Sequence, residues 1–172
     1  MNLEESIILW DGRSKEKIET VYEKFSASKE FIEEVFVLCR REETETGATW
    51  LLKQHLESGV SISVEKKAEF FDLLKEPKAW EAKLHLLQCL PFFSIPASKE
   101  AAAAEFVRNC LTSRNKFVRA WAYGGFCKLA EEYPEYRDEA RQFVSYAMNK
   151  EPASVKARIR NAAKGLFLES EL

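Results

Sequence analysis

The chain contains two histidines, His55 and His85, which are the first residues to consider for acid–base chemistry. Nucleophilic catalysis requires a nucleophile, a base and an orienting group at one place, and histidine is the most common base. His55 and His85 fall in different predicted pairs of helices, one over about residues 45–75 and the other over about 79–112. The sequence therefore does not bring a nucleophile, a base and an orienting group together. We therefore expect both to be packed or surface side chains, and we predict that the protein is not an enzyme.

Metal and cofactor chemistry has equally little support. Four cysteines lie in apolar stretches without the close paired spacing of a zinc site or a redox motif: Cys39, Cys89, Cys110 and Cys127. With only two histidines, a zinc site would need distant, unpatterned ligands. The six glycines form neither of the common phosphate-binding patterns. We predict no metal and no cofactor, and we expect the cysteines to be small buried thiols.

Length and composition indicate an ordinary globular chain. Its 172 residues are 46% apolar and 31% charged, which is enough to bury a core in one domain over residues 1–172. No apolar run approaches the roughly 18 to 20 residues that a membrane helix needs. The opening Met-Asn-Leu-Glu-Glu is acidic where a signal peptide would be basic. We expect a cytoplasmic protein without a membrane partner.

The net charge of −2 hides a difference between the two halves of the chain. Residues 1–107 carry 14 positive and 20 negative charges, whereas residues 108–172 carry 12 positive and 8 negative charges. We interpret this difference mainly as solvated helix faces, although it would suit an acidic partner for the C-terminal half. It falls short of the basic stripe expected of a strong nucleic-acid binder.

Prolines and capping residues divide the chain into helices. All five prolines fall where the apolar periodicity breaks, because proline disrupts a helix interior. Capping-type residues precede several periodic runs: Ser14, Ser28, Ser63, Ser98, Asn115 and Ser154. The 3.6-residue periodicity then predicts helices and no strands. These helices cover residues 14–26, 29–41, 45–58, 63–75, 79–92, 99–112, 116–132, 136–149 and 154–168, with a short one over 3–10.

An internal repeat connects three of these helices. The run 80–84 aligns with 118–122 and then with 155–159, at offsets of 38 and 37 residues. A nearly constant offset of this size is typical of a two-helix repeat array. Gly124 and Gly125 lie inside the predicted helix 116–132, where glycine costs on the order of 1 kcal/mol relative to alanine. We expect close approach of a neighbouring helix at these glycines.

The first helices of these pairs resemble the HEAT repeat family, whose pattern is roughly Val-Arg-x-x-Ala-x-x-Ala-Leu. Residues 118–126 echo this pattern and residues 155–163 form a looser copy, so the resemblance covers about residues 115–166. It implies an all-α fold, a right-handed α-α superhelix of the HEAT or armadillo kind, with about four helix pairs and a capping helix. It also implies that Arg119 and Lys156 bond a neighbouring repeat.

The resemblance further implies that the predicted helices pair over about residues 14–41, 45–75, 79–112 and 116–149, and that the second helix of each pair lines a concave binding face. On the predicted helices 99–112 and 136–149, the residues Arg108, Arg141 and Ser145 point away from the apolar side. We predict that these three residues contact a partner. The predicted function is a non-catalytic scaffold that presents a curved helical surface to a protein or peptide.

Two alternatives remain. Some DNA alkylation repair glycosylases are built from HEAT-like repeats with a basic concave face, so the chain resembles a nucleic-acid-binding protein as well. Four tryptophans and the basic C-terminal half favour this alternative, whereas the overall acidity and the presence of only three aspartates argue against it. Self-association is the second alternative, because an incompletely covered end of a helix stack would expose apolar surface.

Overall fold

The computed structural model of the protein describes residues 1–164 and residue 166. Within this part of the chain the regular elements are helices, with no strand, so the all-α prediction is confirmed. The α-helices are α1 (Leu3–Ile8), α2 (Lys15–Phe25), α3 (Phe31–Leu38), α4 (Glu45–Glu57), α5 (Val64–Leu73), α6 (Trp80–Cys89), α7 (Glu100–Leu111), α8 (Lys116–Glu132), α9 (Arg137–Lys150) and α10 (Ala153–Ala163).

The helix boundaries follow the sequence pattern closely. From α1 to α9, the predicted and observed ends differ by at most three residues. The predicted end of the last helix, residue 168, lies outside the described residues. Short 3-10 turns over Leu90–Phe92, Ala97–Lys99 and Pro134–Tyr136 occupy proline-containing or proline-flanked joints.

Half of the predicted helix caps are correct. The side chains of Ser14, Ser63 and Asn115 accept hydrogen bonds from backbone N–H groups in the first turns of α2, α5 and α8. The other three predictions are wrong, because α3 begins only at Phe31, Ser98 lies within a 3-10 turn, and Ser154 is already the second residue of α10. Pro152 precedes α10 directly, and its fixed φ angle suits a helix start at the next residue.

Residue contacts divide the chain into two compact units, Met1–Phe92 and Phe93–Leu172. In the first unit, α4 packs against α3 and α6, and α2 packs against α1 and α4. Its largest fully buried side chains are Phe31, Phe36, Phe70, Phe71, Leu3, Ile18, Leu51, Leu52, Leu73, Leu86 and Leu87. The prediction of one repeat domain over residues 1–172 stays a prediction.

In the second unit, α8 is the helix around which the others pack, since it contacts α7, α9 and α10. Its buried residues point in all directions, as the sequence pattern predicted: Val118, Ala120, Ala122, Tyr123, Gly125, Phe126, Cys127, Leu129 and Ala130. The ring of Phe126 meets Phe143 edge-on at 4.9 Å between centroids. A Cβ atom on Gly124 would lie 3.6 Å from that of Ala162, so α10 approaches α8 closely here.

The starts of alternate helices repeat at nearly constant intervals. The helices α4, α6, α8 and α10 begin at residues 45, 80, 116 and 153, which are 35, 36 and 37 residues apart. Within the first unit α4 packs against α6, and within the second unit α8 packs against α10. The aligned Val118 and Val155 are both buried, but Trp80, which aligns with them, is 43% exposed. The repeat is therefore visible in the regular spacing of the helix starts, whereas aligned positions of the repeat differ in burial.

Each unit has a buried glutamate at a joint between helices. In the first unit, the Glu45 carboxylate accepts hydrogen bonds from the backbone N–H groups of Lys78 and Ala79, just before α6. In the second unit, the Glu151 carboxylate precedes α10 and accepts from Arg119 through Nε at 2.6 Å and Nη2 at 2.9 Å. The expected bond from Arg119 to the start of a following helix is confirmed, and the HEAT repeat itself stays a prediction.

Candidate binding surfaces

Both histidines lie inside the first unit. The Nδ1 atom of His85 is 3.1 Å from the hydroxyl oxygen of Thr49, and burial lowers the pKa of this imidazole to about 3. The Nδ1 atom of His55 is 3.3 Å from the hydroxyl oxygen of Tyr22, and burial also lowers the pKa of His55. Neither imidazole bonds a carboxylate within residues 1–164 and 166. The histidines were expected to be packed or surface side chains, and both are packed.

The four cysteines are buried free thiols, as the sequence predicted. Burial raises the pKa of the Cys127 thiol to about 12, and it raises the pKa values of Cys39 and Cys89 as well. The reactive thiolate is therefore disfavoured at these three positions. In the described part of the chain, no three side chains of His, Cys, Asp or Glu converge in a way that could hold a metal ion.

Arg108 on α7 is held by the first turns of α9. Its Nε and Nη2 atoms donate to the two carboxylate oxygens of Glu139 at 2.6 and 2.7 Å. The guanidinium carbon also lies 5.7 Å from the ring centroid of Phe126 and 5.6 Å from that of Tyr136. The ion pair raises the pKa of Arg108 and lowers that of Glu139. This fork links two helices, and Arg108 does not line the groove that contains the other two predicted binding residues, Arg141 and Ser145.

Arg141 and Ser145 come together on the exposed side of α9. They belong to what we call the α9 row, which lines a shallow open groove of about 790 Å³: Arg141, Gln142, Ser145, Tyr146, Asn149 and Lys150. Spacings of three and four residues place these side chains on one side of the helix. Tyr146 is 60% exposed, and Arg141 Nη1 lies 3.3 Å from an oxygen of Asp138. The row combines amide, hydroxyl and cationic groups with one aromatic ring.

A second surface of this unit was not predicted from the sequence. The guanidinium carbon of Arg158 on α10 lies 3.2 Å from the ring centroid of Trp121 on α8. One turn earlier on α8, Phe117 is 56% exposed, and the Lys116 ammonium lies 5.2 Å from its ring centroid. We call these four residues the α8–α10 surface. Trp121 and Arg158 are 37 residues apart, which is the offset of the sequence repeat, so the repeat itself could have indicated their contact.

The first unit presents a groove of the opposite charge. It lies between α1 and α3, has a volume of about 360 Å³, and exposes Val37 among acidic side chains. Of these, Glu4 accepts a hydrogen bond from Arg41 at 2.6 Å. Glu33 and Glu34 add two further carboxylates to the lining. The groove therefore offers an acidic rim around a small apolar area.

No family model matches the chain, and no curated protein and no solved structure matches it. In the part of the chain that the structure describes, no helix combines the length and the apolar character that crossing a bilayer requires.

Proposed function

We propose that the chain is a non-catalytic, HEAT-like repeat scaffold that presents a helical surface to a protein or peptide partner. The repeat part of this proposal is supported by the regular starts of α4, α6, α8 and α10 and by the packing of α4 on α6 and of α8 on α10. The Arg119–Glu151 ion pair agrees with it, because an arginine at this position of the pattern bonds the adjoining repeat.

The binding part of the proposal rests on the α9 row. Its six side chains face solvent or are partly exposed along one helix, and they line one continuous groove. An exposed tyrosine among amide and cationic groups is typical of binding surfaces, since Tyr and Arg are enriched in protein interfaces. The packed histidines and the buried cysteines favour a binding role over a catalytic one.

Site-specific crosslinking tests this proposal directly. All four native cysteines are buried, so a cysteine introduced as Ser145→Cys is the thiol that a photoreactive maleimide will modify in the folded protein. We expect the labelled protein to form a defined crosslinked product in cell extract, which mass spectrometry then identifies. The purified partner should bind the wild-type chain, and Arg141→Glu should weaken that binding about tenfold through loss and reversal of one charge.

The matched control is Ser98→Cys, which places the same label at an exposed position in the same unit. A partner of the α9 row should crosslink through position 145 and not through position 98. Equal products from both positions, or a purified candidate whose affinity is unchanged by Arg141→Glu, would count against the α9 row. Arg108 is unsuitable for this test, because its substitution also removes the link to Glu139.

A further inference from the structure

The α8–α10 surface contains an arginine that is stacked on an aromatic ring. At 3.2 Å from the ring centroid, the guanidinium carbon of Arg158 lies directly over the face of Trp121. Tryptophan is the strongest aromatic partner for a cation. Stacking fixes the plane of the guanidinium group and leaves the N–H groups at its edge as the donors for a further partner.

Arg158 differs from two other arginines of the same unit in having no carboxylate partner among residues 1–164 and 166. Arg108 forks onto Glu139 and Arg119 forks onto Glu151. No acidic side chain among the described residues bonds Arg158, and burial lowers the pKa of its guanidinium group. A partly desolvated cation without a counter-charge gains free energy when an anion reaches it.

The neighbourhood of this arginine is apolar and positively charged. Phe117 exposes more than half of its surface beside Trp121, and Lys116 lies over the Phe117 ring. No acidic residue occurs in residues 116–130 or in α10. A ligand at this surface therefore meets the guanidinium group of Arg158, the ammonium group of Lys116 and the exposed ring of Phe117.

We propose that the α8–α10 surface binds an acidic peptide segment of a protein partner, with a carboxylate on Arg158 and an apolar side chain on Phe117. A carboxylate matches the paired donors of a guanidinium edge. A nucleic acid strand fits less well, because it requires a row of cations along its backbone. The neighbouring cations of α10, Lys156 and Arg160, are each two residues from Arg158 and therefore lie on another side of the helix. Here Lys128 is already bonded to Glu132, and Arg119 to Glu151. The proposal concerns a surface other than the α9 row and does not depend on it.

Fluorescence anisotropy with a short fluorescein-labelled peptide of Glu, Leu and Phe tests this proposal. At low salt, we expect saturable binding to the full chain that weakens as salt is added. Arg158→Gln should weaken binding about tenfold, since a hydrogen-bonded charge is lost. Arg158→Lys should have a smaller effect, because it keeps the positive charge and loses only the paired N–H donors of the guanidinium group. Phe117→Ala should weaken binding about fivefold through loss of apolar contact.

The matched control is Arg160→Gln, which removes the same charge from an exposed position on the same helix but outside the α8–α10 surface. At about 0.15 M salt it should leave the affinity within about twofold, since exposed charges are screened at this ionic strength. Circular dichroism should show unchanged helix content for every variant.

Several results would overturn the proposal. Absence of peptide binding at low salt would do so, as would an equal loss for Arg160→Gln and Arg158→Gln, which would show unspecific charge attraction. Parallel titrations with oligothymidylate and with inorganic phosphate separate the remaining sources of negative charge. If either one binds more tightly than the peptide and depends on Arg158, the surface recognises phosphate and the peptide assignment is wrong.

Discussion

The two units place their polar groups differently. Of the buried polar or charged residues in the described part of the chain, five lie in the first unit and one, Glu151, lies in the second: the five are Ser6, Thr44, Glu45, Thr49 and His55. The first unit thus uses polar side chains inside, where they bond its own backbone and the side chains of Tyr22 and His85. The second unit instead joins its helices with two arginine–glutamate forks, of which Arg108–Glu139 is partly exposed and Arg119–Glu151 is largely buried.

This contrast is clearest at the joints before α6 and α10. Glu45 bonds two backbone N–H groups, whereas Glu151 bonds the side chains of Arg119 and Tyr123. Both joints therefore contain a buried carboxylate, but different donors bind it. The donors to Glu45 are backbone N–H groups, so Glu45 holds the backbone before α6 directly. The donors to Glu151 are side chains, and one of them is the charged guanidinium group of Arg119.

The largest effect is expected at the joint of the second unit. Glu151→Ala should lower the free energy of unfolding by about 3 kcal/mol, because it leaves the guanidinium group of Arg119 without its carboxylate. The side chains of Arg119 and Glu151 are only 22% and 6% exposed, so solvent compensates little. Urea unfolding followed by circular dichroism measures this change.

The matched change in the first unit is Glu45→Ala. It removes the acceptor for two backbone N–H groups and leaves no charge unpaired at the joint, so we expect a smaller loss of about 2 kcal/mol. If Glu45→Ala proves more destabilising than Glu151→Ala, the distinction between the two joints is wrong.

Acid should destabilise the first unit before the second. The folded protein holds His85 neutral with a pKa of about 3, whereas the unfolded chain protonates this residue below its ordinary pKa of 6.5. Stability from this residue is therefore complete above pH 6.5 and is lost as the pH falls toward 3. Between pH 7 and pH 5 the loss should be about 2 kcal/mol, and His55 shifts in the same direction.

Amide hydrogen exchange at pH 7 and pH 5, corrected for intrinsic rates, locates the effect. Protection should fall in α4 and α6 and persist in α8 and α10. The pKa values of Glu139 and Glu151 are lowered from 4.5, so the stability from these carboxylates is lost only below this pH window. His85→Gln should remove much of the pH dependence, and an unchanged pH dependence in this variant would exclude His85 as its source.

Two helix glycines should respond to alanine with opposite signs. A Cβ atom on Gly47 in the first unit would lie 2.7 Å from Cγ2 of the buried Ile7, whereas one on Gly124 in the second unit would make an ordinary 3.6 Å contact with Ala162. Gly47→Ala should lower the free energy of unfolding by about 1 kcal/mol, since overpacking exceeds the gain in helix propensity. Gly124→Ala should raise it by up to about 1 kcal/mol. Thermal unfolding of both variants measures the signs, and equal signs would contradict the packing described here.

The smallest effect is expected for Arg108→Ala. Its ion pair with Glu139 is 42% and 33% exposed at the two side chains, so solvent screens most of the attraction. We expect the free energy of unfolding to fall by less than about 1 kcal/mol, with part of the loss from the contacts with Phe126 and Tyr136. A loss as large as that of Glu151→Ala in urea unfolding would show that the exposed and buried forks are equivalent.

Local features of this fold could be predicted from the sequence. Helix ends depend on apolar period, proline positions and nearby caps, so α8 was predicted to the residue. The exposure of Trp80 could not be predicted, because whether a helix face is covered depends on elements distant in sequence. Ser28 failed as a cap because α3 begins only at Phe31, whereas Ser14 directly precedes α2.

In the candidate surfaces, too, contacts within one helix could be predicted from the sequence and contacts between helices could not. Arg141 and Ser145 share one helix, and helical spacing alone predicts that they lie together. The fork between Arg108 and Glu139 requires α7 to lie beside α9, and the apolar pattern of either helix contains no sign of that. The contact of Arg158 with Trp121 could be predicted in part. The repeat offset relates the two positions, but neither residue type indicates a binding site by itself.

The burial of the thiols has a practical consequence. Cys39 and Cys89 belong to the first unit, and Cys110 and Cys127 belong to the second. A small thiol reagent can modify each pair only when the surrounding helices open, so the labelling rate reports the opening equilibrium of one unit. The chain therefore carries internal reporters for both units, and mass spectrometry of the labelled peptides can determine which unit opens more often without any added probe.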